Sequence, residues 1–138
     1  MINIRKLEKD DVSSVIELLQ SLSSYKPSSK SYSKICSIFF NQKNVFSLVA
    51  VVNKEVVSYG SIIIETKIRG GKKGHIEDVV THVNFRKKNI GTKIINNLFE
   101  IAKKEGCYKV SLECNKYNIP FYKNCKFEIS GIGMQRFL

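Results

Sequence analysis

The chain has 138 residues, enough for one domain but not for a second independent core. Its hydrophobic content of 43 % and charged content of 25 % are ordinary for a globular protein. A domain of this size needs neither disulfides nor a structural metal, and no apolar run approaches the roughly 18 to 20 residues of a membrane span. The N-terminus lacks a signal-peptide pattern, so we expect a cytoplasmic protein whose four cysteines are reduced.

The net charge of +11 has two interpretations. It could serve binding to nucleic acid or to an acidic membrane, or it could be a lysine-rich surface that attracts small anionic ligands. Of the 23 basic residues, 19 are lysines, and they are scattered as singles and pairs without interleaved aromatics. This pattern favours the second interpretation, so no nucleic-acid partner is expected.

The first part of the chain predicts one strand and two helices. The strand is Ile2–Lys6, and Asp10 or Asp11 is expected to cap the first helix. Apolar residues recur there at helical spacing, at Val12, Val15, Ile16, Leu19 and Leu22. A polar loop over residues 23–30 separates this helix from a second one capped near Ser31.

The middle of the chain predicts strands. Phe46–Val52 and Val56–Ile64 are apolar and β-branched, and a short turn joins them. Gly60 lies inside the second run and indicates a bulge or a close backbone approach. Arg69–Gly74 is expected to be a flexible basic loop, followed by a strand over His75–Val83.

The last third predicts a helix after Gly91 that ends at Gly106. A strand over Tyr108–Cys114, a short helix over Asn118–Asn124 and a final strand over Phe127–Met134 follow. The order is therefore β-α-α-β-β-β-α-β-α-β. It predicts a mixed α/β single domain over residues 1–138, with one central sheet and a β-α-β unit whose two strands are parallel.

One segment indicates an anion site, namely the connection between a strand and a helix at Arg86-Lys87-Lys88-Asn89-Ile90-Gly91. A loop that leads into a helix presents free backbone N–H groups and the positive end of the helix dipole, which bind phosphates. A solvated basic connector would have the same composition. The motifs of P-loop proteins, dinucleotide-binding folds, zinc proteases and serine hydrolases are all absent.

This segment resembles the acetyl-CoA motif of the GNAT acetyltransferase superfamily, with Asn89 in place of the first glycine. Asparagine tolerates the left-handed conformation that glycine provides there. The resemblance narrows to the glucosamine 6-phosphate N-acetyltransferases through three further blocks, which cover residues 74–80, 106–114 and 118–127. It implies a GNAT fold, a homodimer, and acetyl-CoA as co-substrate without a metal. The implied reaction is a step of UDP-N-acetylglucosamine biosynthesis.

The resemblance also implies the site residues. Acetyl-CoA would lie along Val79, Val80 and Thr81, with its pyrophosphate on residues 86–92 including Thr92, and with Asn118, Phe121, Tyr122 and Lys123 on the other side. Tyr122 would assist the leaving thiolate. Glu113 and Glu77 would act on the amine. The sugar phosphate and the rest of the acceptor would contact Ser24, Lys67, Arg69, Asp78, Tyr108, Lys109 and Arg136 in addition to the two glutamates.

Two alternatives stay open at this point. The chain could acetylate another small amine or a protein N-terminus, or it could be a basic binding module without activity.

A further expectation concerns Glu77 and Asp78: neighbours on a regular strand point to opposite faces, so their side chains would not act on one substrate as a pair. Cys107, Cys114 and Cys125 are interpreted as small buried residues.

Overall fold

Five strands and four α-helices follow one another in the computed structural model, which describes residues 1–138. Their bounds are β1 (Ile2–Lys6), α1 (Val12–Leu19), α2 (Tyr32–Phe40), β2 (Val45–Val52), β3 (Glu55–Thr66), β4 (Lys72–Thr81), α3 (Ile90–Lys104), β5 (Cys107–Ser111) and α4 (Ile119–Asn124). The strands form one sheet in the order β1-β2-β3-β4-β5. The first four are antiparallel, and β5 lies parallel to β4. The predicted mixed α/β fold is confirmed.

Helix α3 covers one face of the sheet. Its residues Ile94, Ile95, Leu98 and Ala102 are fully buried, as the sequence periodicity predicts. They form the main core together with strand residues such as Ile62 and Ile76. Helix α1 lies elsewhere on the sheet, where Val15 forms a second small cluster with Val49, Tyr59 and Val80. Leu22, expected on the same helix, lies beyond its end and is half exposed.

A β-bulge interrupts the pairing of β3 with β4. Ser61 pairs with Glu77 and Tyr59 pairs with Val80, so two β4 residues, Asp78 and Val79, oppose the single residue Gly60. Asp78 adopts a left-handed conformation with φ of 55°. The bulge predicted at Gly60 is therefore present, but its extra residue belongs to β4. The strict alternation expected for Glu77 and Asp78 does not hold at this point.

Gly60 is required by its contact with α3. A Cβ atom at this position would lie 2.6 Å from Cγ2 of Ile94 and 3.1 Å from Cδ1 of Leu98. We expect Gly60→Ala to lower the free energy of unfolding by about 1–3 kcal/mol, because overpacking forces neighbouring side chains to move. Urea denaturation measures this effect. In Gly60→Ala/Ile94→Ala the loss should be smaller than the sum of the two single losses, and strict additivity would contradict the steric explanation.

Two sequence predictions are wrong in detail. The basic segment 69–74 is not one flexible loop, because Gly70 and Gly71 make a tight turn at positive φ and β4 already begins at Lys72. The final strand expected over Phe127–Met134 is absent. Its alternating apolar residues suit a strand, but β5 is only five residues long and pairs with β4 alone. The segment pairs with no strand, and the outer side of β5 stays unpaired.

The helices are short relative to the thickness of a lipid bilayer. None of the four is both long enough and apolar enough to cross one.

Candidate active site

Residues 86–92 connect the end of β4 to α3 and form the predicted anion-binding turn. Lys87 and Asn89 both adopt the left-handed region, with φ of 61° and 63°. Asn89 immediately precedes the first residue of α3. The prediction that asparagine adopts a glycine-like conformation here is confirmed. The first N–H groups of α3 have no partners within the helix, so they offer donors and a positive dipole to an anion.

The basic side chains of this turn add to that field. The Arg86 Nε donates a hydrogen bond of 3.1 Å to the carbonyl oxygen of Thr81, which ties the turn to the end of β4. The Lys88 ammonium lies 5.2 Å from the centre of the Phe85 ring. None of the ion pairs in the structure involves residues 86–88. Their positive charge is therefore not compensated within the chain.

Close packing at Gly91 brings two further residues predicted to contact acetyl-CoA, Thr81 and Phe121, next to the start of α3. A Cβ atom on Gly91 would lie 3.2 Å from Cζ of Phe121 and 3.5 Å from Oγ1 of Thr81. The start of α3, the end of β4 and α4 therefore adjoin one another, and Asn118 immediately precedes α4. Val80 and Ile90 are buried in the core, so they can contact a ligand only through their backbones.

Strands β4 and β5 separate beside this turn. Their last paired residues are His75 and Ser111, although β4 continues to Thr81. Beyond that pair, β4 keeps its partner β3 on one side only. Residues 76–81 thus present unpaired backbone groups to the gap, and an extended ligand can pair with them as a strand would.

Tyr122 lies on α4 and packs against Phe121 and Phe127, with ring centroids 4.9 and 6.0 Å away. Burial raises the pKa of its hydroxyl to about 12. The phenol is therefore neutral at physiological pH and can donate a hydrogen bond. Its helix adjoins the start of α3 through the contact between Phe121 and Gly91.

The three predicted acidic residues are close enough to affect one another. The pKa of Glu77 is raised, chiefly by desolvation and then by the negative charges of Asp78 and Glu113, while His75 lowers it. Backbone from the C-terminal tail approaches Glu113, because a Cβ atom on Gly133 would lie 3.0 Å from its carboxyl carbon. The acids therefore form one group beside the gap between β4 and β5.

The predicted basic residues divide into two sets. Arg69, Tyr108 and Lys109 lie together: the Arg69 guanidinium lowers the pKa of the Tyr108 hydroxyl, and the Lys109 ammonium is 5.9 Å from the Tyr108 ring centre. Lys67 is instead 2.8 Å from the carboxylate of Glu65 and is neutralised by it. Ser24 and Arg136 lie on exposed segments without regular structure, and neither makes a hydrogen bond or an ion pair with Arg69, Tyr108 or Lys109.

The cysteines form no disulfide, and the side chains that could bind a metal ion form no cluster. All four cysteines are free, and burial raises the pKa of the Cys107 and Cys125 thiols. Cys114 is exposed, which the sequence interpretation did not expect. No group of three or more histidine, cysteine, aspartate or glutamate side chains could hold a metal ion.

Comparison with known proteins identifies the arrangement. Residues 12–127 match the profile of the acetyltransferase (GNAT) family. The chain belongs to this family. It is therefore an acetyl-CoA-dependent N-acetyltransferase.

Several relatives of this acetyltransferase have named activities. It is 36 % identical to "Glucosamine 6-phosphate N-acetyltransferase 1" of Dictyostelium discoideum, over 99 % of this chain and 91 % of the relative. It is 33 % identical to the glucosamine 6-phosphate N-acetyltransferase of Trypanosoma brucei brucei, over 91 % and 88 %. The crystal structure of the Arabidopsis thaliana glucosamine-6-phosphate N-acetyltransferase superposes with a TM-score of 0.90 at 33 % identity, covering 99 % and 98 % of the two chains.

The left-handed conformation of Asn89 gives a test of the co-substrate site. We expect Asn89→Val to raise the KM for acetyl-CoA about tenfold, because a β-branched residue is strained at positive φ and shifts the start of α3. Asn89→Gly is the matched control and should keep the KM of the parent acetyltransferase. Steady-state kinetics with varied acetyl-CoA measures both. An unchanged KM in Asn89→Val would remove this turn from the co-substrate site.

Sequence reasoning missed three polar residues near the site, Glu65, His75 and Ser111. They lie on β3, β4 and β5 and are joined by hydrogen bonds. Each looks like an ordinary surface residue along its own strand. Only the register, which pairs His75 with Ser111, shows that they are neighbours. No pattern in the sequence alone indicates that register.

Proposed function

We propose that this acetyltransferase transfers the acetyl group of acetyl-CoA to the amine of glucosamine 6-phosphate, giving N-acetylglucosamine 6-phosphate and CoA. The observation that carries the proposal is a polar face with acids at one end and bases at the other, next to the gap between β4 and β5. The names of the two relatives and of the Arabidopsis thaliana structure support the same acceptor.

The register of β4 and β5 defines that face. Lys73 pairs with Lys109 and His75 pairs with Ser111, and alternate residues of a strand share one face. Glu77 follows two residues after His75, and Glu113 follows two residues after Ser111. Val110 and Leu112 pack against the α3 core, so the polar residues lie on the opposite face. On β4 the basic end at Lys73 and the acidic end at Glu77 are thus four residues apart, roughly 13 Å. Glu113 lies two residues beyond the end of β5, and its charge acts on Glu77.

The two ends suit the two charged groups of the acceptor. A phosphate dianion is attracted to Lys73 and Lys109, and to Arg69 beside Tyr108. The amine enters as an ammonium ion, which Glu77, Asp78 and Glu113 attract at the other end. Because desolvation raises its pKa, the Glu77 carboxylate is a stronger base than that of an ordinary glutamate. It can therefore accept the ammonium proton. The neutral amine can then attack the thioester carbonyl.

Tyr122 serves the sulfur end of the reaction. When the C–S bond breaks, negative charge collects on the CoA sulfur, and the Tyr122 hydroxyl donates a hydrogen bond to it. A phenol with a pKa of about 12 is roughly three units less acidic than an ordinary thiol, so hydrogen bonding is favoured over complete proton transfer.

The place of the reaction in UDP-N-acetylglucosamine biosynthesis and a cytoplasmic location remain predictions.

A second copy of the chain is part of the proposal. Strand β5 lies at the edge of the sheet, and its outer side pairs with no strand. The tail after Phe127 has no regular structure, and its side chains Ile129, Ile132, Met134 and Phe137 are 69–92 % exposed. An open edge beside exposed apolar residues is typical of a surface that another chain covers. Because the tail also reaches Glu113, a homodimer would border the acceptor site.

The activity is tested by measuring CoA release with three acceptors, namely glucosamine 6-phosphate, glucosamine and a peptide with a free N-terminal amine. We expect turnover with the sugar phosphate, a much higher KM for glucosamine, and none with the peptide. Turnover with the peptide alone would support a protein N-terminal acetyltransferase instead. Tight, salt-dependent binding of nucleic acid without turnover would contradict the proposal.

The assembly is tested by sedimentation equilibrium. The wild-type chain should sediment with twice the mass of 15.8 kDa. Ile132→Asp/Met134→Asp should sediment as a single chain, since charges replace two of the exposed apolar side chains. Lys54→Asp, in the turn between β2 and β3, is the control for added charge and should remain a dimer. A wild-type mass of one chain would overturn the homodimer.

A further inference from the structure

Four polar side chains form a hydrogen-bonded chain across three strands. The Lys67 ammonium is 2.8 Å from Oε1 of Glu65, and the same oxygen is 3.2 Å from Nε2 of His75. Nδ1 of His75 is 3.3 Å from Oγ of Ser111. Both nitrogens of the imidazole ring are therefore engaged by protein atoms, and the ring cannot serve as a direct ligand without losing one of these partners.

The charges at one end of this chain determine the direction of every hydrogen bond. Lys67 and His75 lower the pKa of Glu65, so its carboxylate is ionised and can only accept. In its neutral form, His75 must then carry its proton on Nε2 and donate it to Glu65. Nδ1 is left as an acceptor, so the Ser111 hydroxyl donates to it. Because its proton is used in this bond, the Ser111 oxygen can only accept hydrogen bonds from other groups.

The position of Ser111 shows what could use these lone pairs. His75 and Ser111 are the last pair before β4 and β5 separate. They lie midway on the proposed acceptor face, two residues from Glu77 and Glu113 on one side and two from Lys73 and Lys109 on the other. Ser111 is only partly buried. An acceptor whose amine and phosphate contact the two ends must place its uncharged middle over this pair.

We propose that Ser111 Oγ accepts a hydrogen bond from a ring hydroxyl of the acceptor sugar, with His75 and Glu65 as positioning residues that fix its polarity. This inference rests on the proposed function, because it takes the acceptor to be an amino-sugar phosphate. The face would then recognise three features in sequence, the phosphate, a hydroxyl and the amine. A peptide amine would leave the oriented Ser111 oxygen without its donor.

The polarity of the chain can be tested without any substrate. The protein has two histidines, so His82→Asn leaves His75 as the only imidazole, while asparagine can still accept the hydrogen bond from the Asn84 N–H. Long-range ¹H–¹⁵N NMR of this variant near pH 8 should show the Nε2–H tautomer of His75. The added change Glu65→Gln should introduce the Nδ1–H form. A resting Nδ1–H tautomer would overturn the inference.

The contact itself is tested by kinetics with Ser111→Ala. We expect its KM for glucosamine 6-phosphate to rise about tenfold, the loss of one hydrogen bond, with kcat and the KM for acetyl-CoA changed less than twofold. Ser37→Ala, on the exposed side of α2, is the control and should match the wild type. Glu65→Gln should raise the same KM, because the Ser111 oxygen is no longer held as an acceptor.

Analogues of the sugar distinguish a contact from a general disturbance. Two analogues are used, glucosamine 6-phosphate without its 3-hydroxyl and glucosamine 6-phosphate without its 4-hydroxyl. One of these analogues should bind to the wild type and to Ser111→Ala with equal affinity. If Ser111→Ala is impaired equally with both analogues and the parent sugar, or is not impaired at all, the inference fails. If the wild type does not acetylate glucosamine 6-phosphate, the proposed function fails instead, while the NMR result still reports on the hydrogen-bonded chain.

Discussion

Replacing Tyr122 with phenylalanine should lower kcat by about two orders of magnitude and leave the KM for acetyl-CoA within about twofold. The hydroxyl is the only group removed, and it serves a charge that exists only as the C–S bond breaks. The ring contacts with Phe121 and Phe127 remain, so binding of the co-substrate and the melting temperature should not change. Stopped-flow detection of free CoA measures the rate.

The acidity of the leaving thiol separates a hydrogen-bond donor from other roles of Tyr122. When the thiol of the acyl donor is more acidic, the leaving thiolate needs less stabilisation. The loss of kcat in Tyr122→Phe should therefore be smaller with such donors. Phe121→Leu is the matched control, since it changes the neighbouring aromatic side chain but keeps the phenol. An unchanged kcat in Tyr122→Phe, or an equal deficit with all thiols, would exclude the hydroxyl from the reaction.

Replacing Glu77 with glutamine should lower kcat/KM for glucosamine 6-phosphate by about a hundredfold near neutral pH, because the amide cannot accept the ammonium proton. Glu55→Gln, in an exposed position at the start of β3, is the control and should retain full activity. The two variants carry the same change of charge. A loss shared by both would indicate a general electrostatic effect rather than a base at Glu77.

The pH dependence of the wild type gives the same residue a second test. A carboxylate is a base only above its pKa, and the pKa of Glu77 is raised by desolvation and by the neighbouring acids. Activity should therefore fall with decreasing pH from a higher starting pH than an ordinary glutamate, whose pKa is about 4.3, would give. In Glu77→Gln this acid limb should disappear. Comparing both enzymes on one substrate removes the contribution of the substrate amine.

Much of the fold could be predicted from local patterns. The buried face of α3 follows from the spacing of Ile94, Ile95 and Leu98, and the bulge follows from a glycine inside a strand. The left-handed Asn89 could also be predicted, because few other residues tolerate that conformation. In each case the cause lies within a few residues along the chain, so the sequence contains it directly.

The errors concern features that depend on distant partners. The alternating residues after Phe127 satisfy a strand pattern, but the segment pairs with no other strand and has no regular structure. The proximity of His75 and Ser111 depends on a register between strands that α3 separates in the sequence. Local periodicity carries no information about such pairing.

The unequal lengths of β4 and β5 make folding and ligand binding depend on each other. Residues 76–81 lack hydrogen bonds on one side, so this stretch should exchange its exposed amide protons faster than the rest of β4. Acetyl-CoA bound along it would supply those bonds and stabilise the folded state by about 2.7 kcal/mol at a hundred times its dissociation constant. A higher melting temperature and slower exchange at these residues would measure the effect. The co-substrate would thus act as the strand that the sheet lacks.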